Sequence, residues 1–379
     1  MADAVAFEPV STPKFPANRE INREFRRIHL LVRNLPTGEQ IQMFAAKFPT
    51  QQNREFLRRN REFARENREF EPPLVQGNGN FRMMFSEGTG EMMRRLRAHV
   101  QLLAGDIGER NVFQPGALND AASYIESEWG RQGYAVKQLP YEVSGVLCAN
   151  LEVTRNGSAR QGEILLIGAH YDSVLGSPGA NDNASGIAAL LEISRNFAAI
   201  EPAMTVRFVA FVNEEPPFFM SGQQGSMVYA KAARRRGDNV RLMASIETIG
   251  WYSNQPGTQR YPPLFNLFYP NHANFIGMVS DFRSRAAMRR LAQAFRADSD
   301  FPLQTIATFR FVPGVSWSDH RSFWRQGYQA MMITDTAPYR YPYYHAVADT
   351  PDKLAYPEFS RVTLGLCAAF RDIAQKGLD

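Results

Sequence analysis

The chain has 379 residues, of which 44% are hydrophobic and 21% charged, and a formal net charge of +5 at pH 7. This length allows one large domain with a sizeable core plus an extension, and the composition excludes a chain that is disordered throughout. The positive charge is small and is not gathered in one lysine-rich block, so we expect no nucleic-acid partner. With only two cysteines, Cys148 and Cys367, neither a disulfide framework nor a thiolate zinc site is supported. A bound metal would have to be held by His, Asp and Glu.

Targeting and membrane signals are absent from the sequence as it stands. Residues 1–20 lack a basic start followed by an apolar stretch, so no signal peptide is predicted. Nor is any uninterrupted apolar run long enough to span a bilayer. We therefore expect a cytoplasmic protein without a membrane span, although a misassigned start codon would leave secretion open.

The first 90 residues differ in composition from the rest and contain a repeat. Asn-Arg-Glu-Phe begins at Asn22, Asn53, Asn60 and Asn67, and the last three copies are seven residues apart. On a helix this spacing places Phe56, Phe63 and Phe70 on one narrow stripe. We predict that residues 1–90 form a helical or partly disordered N-terminal extension and that residues 91–379 form the globular domain. The stripe makes the extension a candidate for oligomerisation, but a coiled coil needs two apolar positions per heptad, and a solvated arm is the alternative.

From residue 91 onward, apolar runs of strand length alternate with segments of helical periodicity. Helices are predicted over 92–105, 117–134, 185–200, 286–295 and 359–375, and strands over 149–153, 163–168, 205–212, 240–251, 264–269 and 329–336. Strands interleaved with helices predict an α/β fold. We expect a single globular domain with a mostly parallel mixed sheet that is covered by helices on both faces.

Polar residues interrupt this pattern where the strand over 163–168 gives way to a helix. His170 and Asp172 come just after the strand, and Asp182 precedes a helix start for which Ser185 is the expected N-cap. In an open α/β sheet, ligands bind outside the carboxyl ends of the strands. These three side chains should therefore face one crevice.

Three further acids and a second histidine fall at comparable places. Glu214 and Glu215 follow the strand over 205–212, and because neighbours on an extended chain point to opposite sides, one can bind a metal while the other faces the substrate. Glu247 lies in an apolar run, where a lone acid is costly to bury unless it is paired or bound to metal. His345 comes shortly after the last predicted strand.

Each of these residues taken singly has a structural explanation, such as a satisfied buried histidine, a solvated pair of glutamates or an interior ion pair. Together they supply two imidazoles and three carboxylates at the strand ends of one domain. This set of donors suits a pair of zinc ions, and manganese or cobalt would also fit it.

The chain from about residue 91 to its C terminus resembles the M28 family of zinc-dependent exopeptidases. Six motifs carry the resemblance, in the family's order and spacing: HYDS, GANDNASG, NEEPPFF, IETIG, SDHRSFWRQG and YYHAVADTPD. The resemblance implies two zinc ions bridged by Asp182. His170 and Glu247 would complete one site, and Glu215 and His345 the other.

The resemblance also implies roles around the metals. Glu214 would be the general base, Asp172 would orient the metal centre, and Tyr344 would donate its phenol hydroxyl to a developing oxyanion. The peptide bond after Asp182 would be cis. One departure stands out, since many members of the family have an aspartate where this chain has Glu247, a carboxylate that is one methylene longer.

We expect a metal-dependent exopeptidase that acts on peptides, most simply an aminopeptidase. The acid-rich centre suits a free ammonium group, whereas a carboxypeptidase needs an arginine cluster over the substrate carboxylate. Arg310 and Arg340 fall near the relevant segments, but they do not make a dense cluster. Two alternatives share the scaffold: a glutaminyl cyclase-like transferase that uses one zinc, and a catalytically inactive binding module.

Overall fold

The computed structural model describes residues 79–262 and 265–378. The predicted N-terminal extension falls largely on residues 1–78, so its repeats and its suggested part in oligomerisation lie outside the described residues. No helix within the described ranges is long and apolar enough to cross a membrane.

Helices and strands alternate along the described chain. The helices are α1 (Gly79–Val100), α2 (Pro115–Arg131), α3 (Gly186–Ala198), α4 (Gly225–Arg236), α5 (Arg285–Asp298), α6 (His320–Arg325), α7 (Ala337–Arg340) and α8 (Tyr356–Lys376). The strands are β1 (Lys137–Val143), β2 (Val146–Arg155), β3 (Arg160–His170), β4 (Met204–Phe211), β5 (Val240–Glu247), β6 (Ser253–Pro256), β7 (His272–Ala273), β8 (Ile276–Ser280), β9 (Leu303–Ala307) and β10 (Ala330–Thr334). A short π-helical segment occupies Gln101–Ile107, Ala180–Ser185 is a kinked turn in which Asp182 and Asn183 have non-helical backbone angles, and 3-10 turns occupy Phe265–Leu267 and Pro351–Lys353.

Eight strands form one mixed sheet in the order β1-β2-β4-β3-β5-β10-β8-β9, while β6 and β7 form a separate ribbon. Four of its seven neighbouring pairs are parallel, namely β4/β3, β3/β5, β5/β10 and β8/β9. The prediction of a mostly parallel sheet is confirmed. Since β4, β3, β5 and β10 run in the same direction, their carboxyl ends meet at one edge.

Helices cover both faces of this sheet. On β3, Leu165 and Ile167 belong to the core shared with α1, α2, α3, α5 and α8, whereas Ile164 and Leu166 belong to a second core with α4 and α6. The alternation follows from the two-residue period of a strand. A strand with apolar residues on both sides is the pattern of a doubly covered sheet, as the sequence predicted.

The predicted strands over 163–168, 205–212 and 329–336 correspond to β3, β4 and β10. The strand predicted over 264–269 is wrong, because Phe265–Leu267 is a 3-10 turn. There the rings of Phe265 and Tyr269 stack with centroids 6.3 Å apart, which brings residues four apart onto one side of a turn. The strand predicted over 240–251 ends at Glu247, and the sequence did not predict β8 or β9.

Candidate metal centre

The carboxyl edge of the four parallel strands gathers the candidate ligands. His170 is the last residue of β3 and Glu247 is the last residue of β5. Glu215 comes four residues after the end of β4, and His345 lies in the connection that follows α7. Because these strands are neighbours in the sheet, residues up to 175 positions apart in sequence meet at this edge.

Two groups of donor atoms form around Asp182. In the first, His170 Nε2 lies 3.3 Å from Asp182 Oδ1 and 3.4 Å from Glu247 Oε2. In the second, His345 Nε2 lies 3.1 Å from Asp182 Oδ2 and 3.4 Å from Glu215 Oε2. The structure thus brings all five sequence-predicted ligands together, and Asp182 presents a different oxygen to each histidine.

The spacing within both groups fits a metal ion. Ligand atoms about 2.0 Å from a tetrahedral zinc ion are about 3.3 Å apart from one another. The ligand atoms within each group all lie within 4.8 Å of one another. His170 Nε2 and Glu215 Oε1 are buried without a hydrogen-bond partner among the described residues. Buried polar atoms are rarely left unpaired, and these two belong to residues of the two groups that could hold a metal ion.

The electrostatics of the site favour a cation as well. Burial raises the pKa of Glu214 well above its usual value, and the charges of Glu247 and Glu215 add to the effect although His170 opposes it. Burial likewise raises the pKa of Glu215 and of Glu247. For His170, burial lowers the pKa, but Glu247, Asp172 and Asp182 outweigh it and the net pKa lies well above 6.5. Crowded, buried carboxylates of this kind are stabilised by divalent cations.

Asp172 connects the ends of β3 and β4. Its Oδ1 accepts the backbone N–H of Glu214 and its Oδ2 accepts that of Glu215, each at 3.1 Å. His170 Nδ1 lies 3.1 Å from the carbonyl oxygen of Asp172 and 3.6 Å from its Oδ1. One aspartate therefore fixes the backbone of two neighbouring glutamates and the ring of a histidine, which supports the orienting role expected of it.

The segment that carries Asp182 is held in a similar way. Asp349 accepts the backbone N–H of Asn181 at 2.8 Å and that of Asp182 at 3.1 Å, and Tyr341 donates its hydroxyl to Asp349 at 2.6 Å. The peptide bond between Asp182 and Asn183 is cis, which confirms the expectation drawn from the resemblance.

The capping role predicted for Ser185 is wrong, although α3 does begin directly after it. The side chain of Ser185 makes no capping hydrogen bond, and its backbone is already helical, with φ −63° and ψ −43°. Its hydroxyl instead donates to the carbonyl of Asn181 at 2.7 Å and accepts the N–H of Ile249 at 3.0 Å. Ser185 thus joins the Asp182 segment to the chain that follows β5.

Tyr344 lies beside the centre, and its role stays a prediction. Its ring stacks on the His345 imidazole with centroids 3.9 Å apart. Burial raises the pKa of the phenol well above its usual value, and the charges of Asp182 and Glu215 raise it further. The hydroxyl therefore keeps its proton at neutral pH, as a hydrogen-bond donor to an oxyanion must.

Sequence reasoning did not single out Ser318, whose hydroxyl donates to Glu247 Oε2 at 2.7 Å. Ser318 is the first residue of the SDHRSFWRQG motif, and this motif was the sequence feature that could have pointed to it.

Arg110 was also missed. It is fully buried and donates to backbone carbonyls of the chain after β3, including Tyr171 at 2.7 Å and Gly179 at 2.9 Å. Burial lowers its pKa to about 10, so the guanidinium is charged at neutral pH. The charges of Asp172, Asp349, Asp182 and Glu215 act on it and favour this charged form.

An apolar pocket opens next to Glu247 and Tyr344. Aromatic and aliphatic side chains form most of its wall, among them Tyr261, Phe265, Tyr269, Phe275, Met332 and Tyr339. The 3-10 turn that replaces the predicted strand over 264–269 thus supplies part of this wall.

The two arginines noted in the sequence are both engaged in the fold. Arg310 Nε donates to Asp281 at 3.0 Å. Arg340 is buried, and it donates to Gln259 at 2.8 Å and to the carbonyl of Phe275 at 2.9 Å. They do not form the cluster that would bind a substrate carboxylate.

Two groups of one histidine and two carboxylates at the edge of a mostly parallel sheet define a metal-binding protein of the α/β class. The chain belongs to peptidase family M28, whose family model matches residues 150–370. It is 36% identical over 281 residues to the uncharacterized protein YfbL of Escherichia coli K12, an alignment that covers 72% of this chain and 85% of YfbL. It is 27% identical over 241 residues to a probable zinc metalloprotease of Pyricularia oryzae, covering 58% of this chain and 43% of that protein.

Solved structures share the fold. A zinc aminopeptidase from Bacillus subtilis matches with a TM-score of 0.61 at 14% identity, over 75% of this chain and 95% of the other. A glutaminyl cyclase from Fimbriiglobus ruber matches with a TM-score of 0.54 at 18% identity, over 74% of this chain and 94% of the other. Both similarities concern the fold, so the site's own chemistry must decide between the two activities.

Proposed function

We propose that the protein is a di-zinc aminopeptidase that removes N-terminal residues from peptides. His170, Asp182 and Glu247 would hold one ion, and Asp182, Glu215 and His345 the other. The observation that carries the proposal is the placement of Asp182, which offers its two oxygens to two histidines that belong to separate ligand groups. Two groups of potential ligands that share one aspartate offer places for two ions, which supports the two-metal proposal.

When bound, zinc ions in such a pair lower the pKa of water toward neutrality and polarise a substrate carbonyl. Glu214 belongs to neither ligand group, and its side chain is buried beside both. It accepts a proton from the attacking water and delivers that proton to the departing amine. The Tyr344 hydroxyl donates a hydrogen bond to the oxygen that gains negative charge.

Recognition of an amino end is favoured over that of a carboxyl end. The carboxylates of Glu214 and Glu247 attract the free ammonium group of a peptide, while Arg310 and Arg340 are engaged elsewhere. The lining of the adjoining pocket is mostly apolar, so the pocket suits the side chain of a hydrophobic N-terminal residue.

The proposal is tested by Glu214→Gln, with zinc content and turnover measured on the same preparation. The amide cannot accept the proton, so turnover should fall by at least about a hundredfold while both ions are retained. Glu215→Gln is the matched control, because the adjacent glutamate is a proposed ligand and its loss should remove zinc as well. Turnover of Glu214→Gln within about tenfold of the wild type would remove Glu214 as the base.

Zinc stoichiometry and substrate range separate the alternatives. Two ions per chain and hydrolysis of aminoacyl anilides, with no action on N-blocked analogues, are expected for the aminopeptidase. One ion per chain and cyclisation of an N-terminal glutamine would instead establish a glutaminyl cyclase. An inactive binding module is disfavoured because all five ligand positions hold side chains that can bind zinc.

A further inference from the structure

Gln224 lies against the proposed general base. It immediately precedes α4 and is buried, with 2% of its surface exposed. Its side-chain Nε2 donates to Glu214 Oε1 at 3.4 Å. No sequence pattern singles out this residue, which is one of two adjacent glutamines in a polar loop.

The direction of the Gln224 amide is set by a second hydrogen bond. Its Oε1 accepts the backbone N–H of Met220 at 3.1 Å. Reversing the amide would bring its NH₂ group against that N–H donor and its oxygen against the Glu214 carboxylate. Both contacts would then be repulsive, so the NH₂ group must face Glu214.

The backbone of Gln224 is anchored as well. Its carbonyl accepts the N–H groups of Met227 at 2.9 Å and Val228 at 3.0 Å in the first turn of α4. The Gln224 donor is therefore presented from a helix start rather than from a free loop. At the other end of the contact, the backbone N–H of Glu214 is held by Asp172.

We propose that Gln224 is a positioning residue for catalysis. Its NH₂ group holds one carboxylate oxygen of Glu214, so that the other oxygen faces the water whose proton Glu214 accepts. This inference rests on the proposed function, in which Glu214 is the base. Gln224 acts through Glu214 and needs no contact with the substrate.

Two substitutions separate positioning from a structural role in the loop. Gln224→Glu keeps an acceptor for the Met220 N–H but places a second carboxylate oxygen against Glu214. Gln224→Met is close in size and removes both hydrogen bonds.

With the full chain loaded with zinc and an apolar aminoacyl anilide as substrate, we expect kcat to fall by about 10- to 100-fold in both variants, with KM and zinc per chain little changed. Gln132→Met is the matched control, since Gln132 follows α2, donates to the Leu191 carbonyl of α3 at 3.0 Å and belongs to neither ligand group. It should keep wild-type kcat.

A wild-type kcat for Gln224→Glu at pH 8 would overturn the inference. It would show that the hydrogen bond from the Met220 N–H is the only contribution of Gln224 to catalysis and that its contact with Glu214 has no effect. A fall in kcat that matches a loss of zinc would overturn it too. The Glu214→Gln variant tells this failure from that of the proposed function. If Glu214→Gln loses turnover while the Gln224 variants do not, only the positioning role is refuted. If Glu214→Gln keeps its turnover, there is no base to position and both proposals fall.

Discussion

Shortening Glu247 to aspartate tests whether the longer acid in this chain is a ligand. Its Oε2 lies 3.4 Å from His170 Nε2 and accepts the Ser318 hydroxyl at 2.7 Å. Glu247 ends a strand that pairs with β3 on one side and β10 on the other, so its backbone has little freedom to advance. Removing one methylene withdraws the carboxylate by about 1.5 Å, which breaks the Ser318 bond and takes the oxygen away from the first ligand group.

The size of the effect follows from the lost hydrogen bond. A hydrogen bond to a charged group contributes about 1.5–3 kcal/mol. At about 1.4 kcal/mol per factor of ten, Glu247→Asp should weaken zinc binding by about 10- to 100-fold. The weakening should affect one ion, because Asp182, Glu215 and His345 keep their positions.

The assay is a competitive zinc titration of the stripped protein with a chromophoric chelator, compared between Glu247→Asp and wild type. Two sites of unequal affinity are expected in the variant, with the tighter one unchanged. Glu163→Asp is the control, since Glu163 makes an ion pair with Arg241 at 3.1 Å, away from the centre. Unchanged affinity at both sites in Glu247→Asp would refute the reasoning that the position of β5 keeps the shorter acid from reaching the ion.

Three further predictions follow from other parts of the molecule. His345→Ala should lose one zinc ion and most turnover, and full zinc content by elemental analysis would contradict its place in the second group. Gly277→Val should lower the ratio of kcat/KM for phenylalanyl anilide to that for alanyl anilide by about tenfold or more. The reason is that Gly277 lines the pocket, where an added Cβ would lie 3.2 Å from the Thr334 carbonyl oxygen. An unchanged ratio would refute this use of the pocket. Burial lowers the pKa of His320 from 6.5 to about 4. Below pH 6.5 the unfolded chain therefore binds a proton that the folded chain does not, and the free energy of unfolding falls as the pH drops. For this residue the loss reaches about 3 kcal/mol at pH 4. Urea denaturation of His320→Gln should show a flatter pH dependence over that range, and a slope equal to that of the wild type would contradict the assignment.

The sequence was sufficient to predict the four neighbouring parallel strands β4, β3, β5 and β10 and the edge at which the site lies. Runs such as those of β3 and β4 are apolar on both sides, which marks doubly covered strands, and polar residues begin where each run stops. Parallel strands then bring His170, Glu215 and Glu247 to one edge without any knowledge of loop conformation. The aromatic run over 264–269 had no such constraint, since an apolar segment of that length fits a strand or a turn equally well, and contacts distant in sequence determine which forms.

Residues that act through hydrogen bonds to the backbone were beyond sequence reasoning. Arg110 lies 61 positions before Tyr171, whose carbonyl it binds, and no local pattern signals that contact. Gln223 and Gln224 are identical in type, yet Gln223 is exposed and Gln224 is buried against Glu214, the proposed base. The path of the loop decides which of the two glutamines reaches Glu214, and that path depends on where β4 and α4 pack.

Two acids that belong to neither ligand group, Asp172 and Asp349, hold the backbone of residues in this centre. Asp172 accepts the amides of Glu214 and Glu215, and Asp349 accepts those of Asn181 and Asp182. Each carboxylate uses both oxygens on consecutive backbone N–H groups, so it fixes the orientation of a peptide unit as well as its position. The side chains of the proposed base and of the proposed bridging ligand therefore start from a main chain held by hydrogen bonds, which is what precisely placed functional side chains require. Such pairing joins residues 42 to 168 positions apart, so it arises only when the whole sheet has assembled.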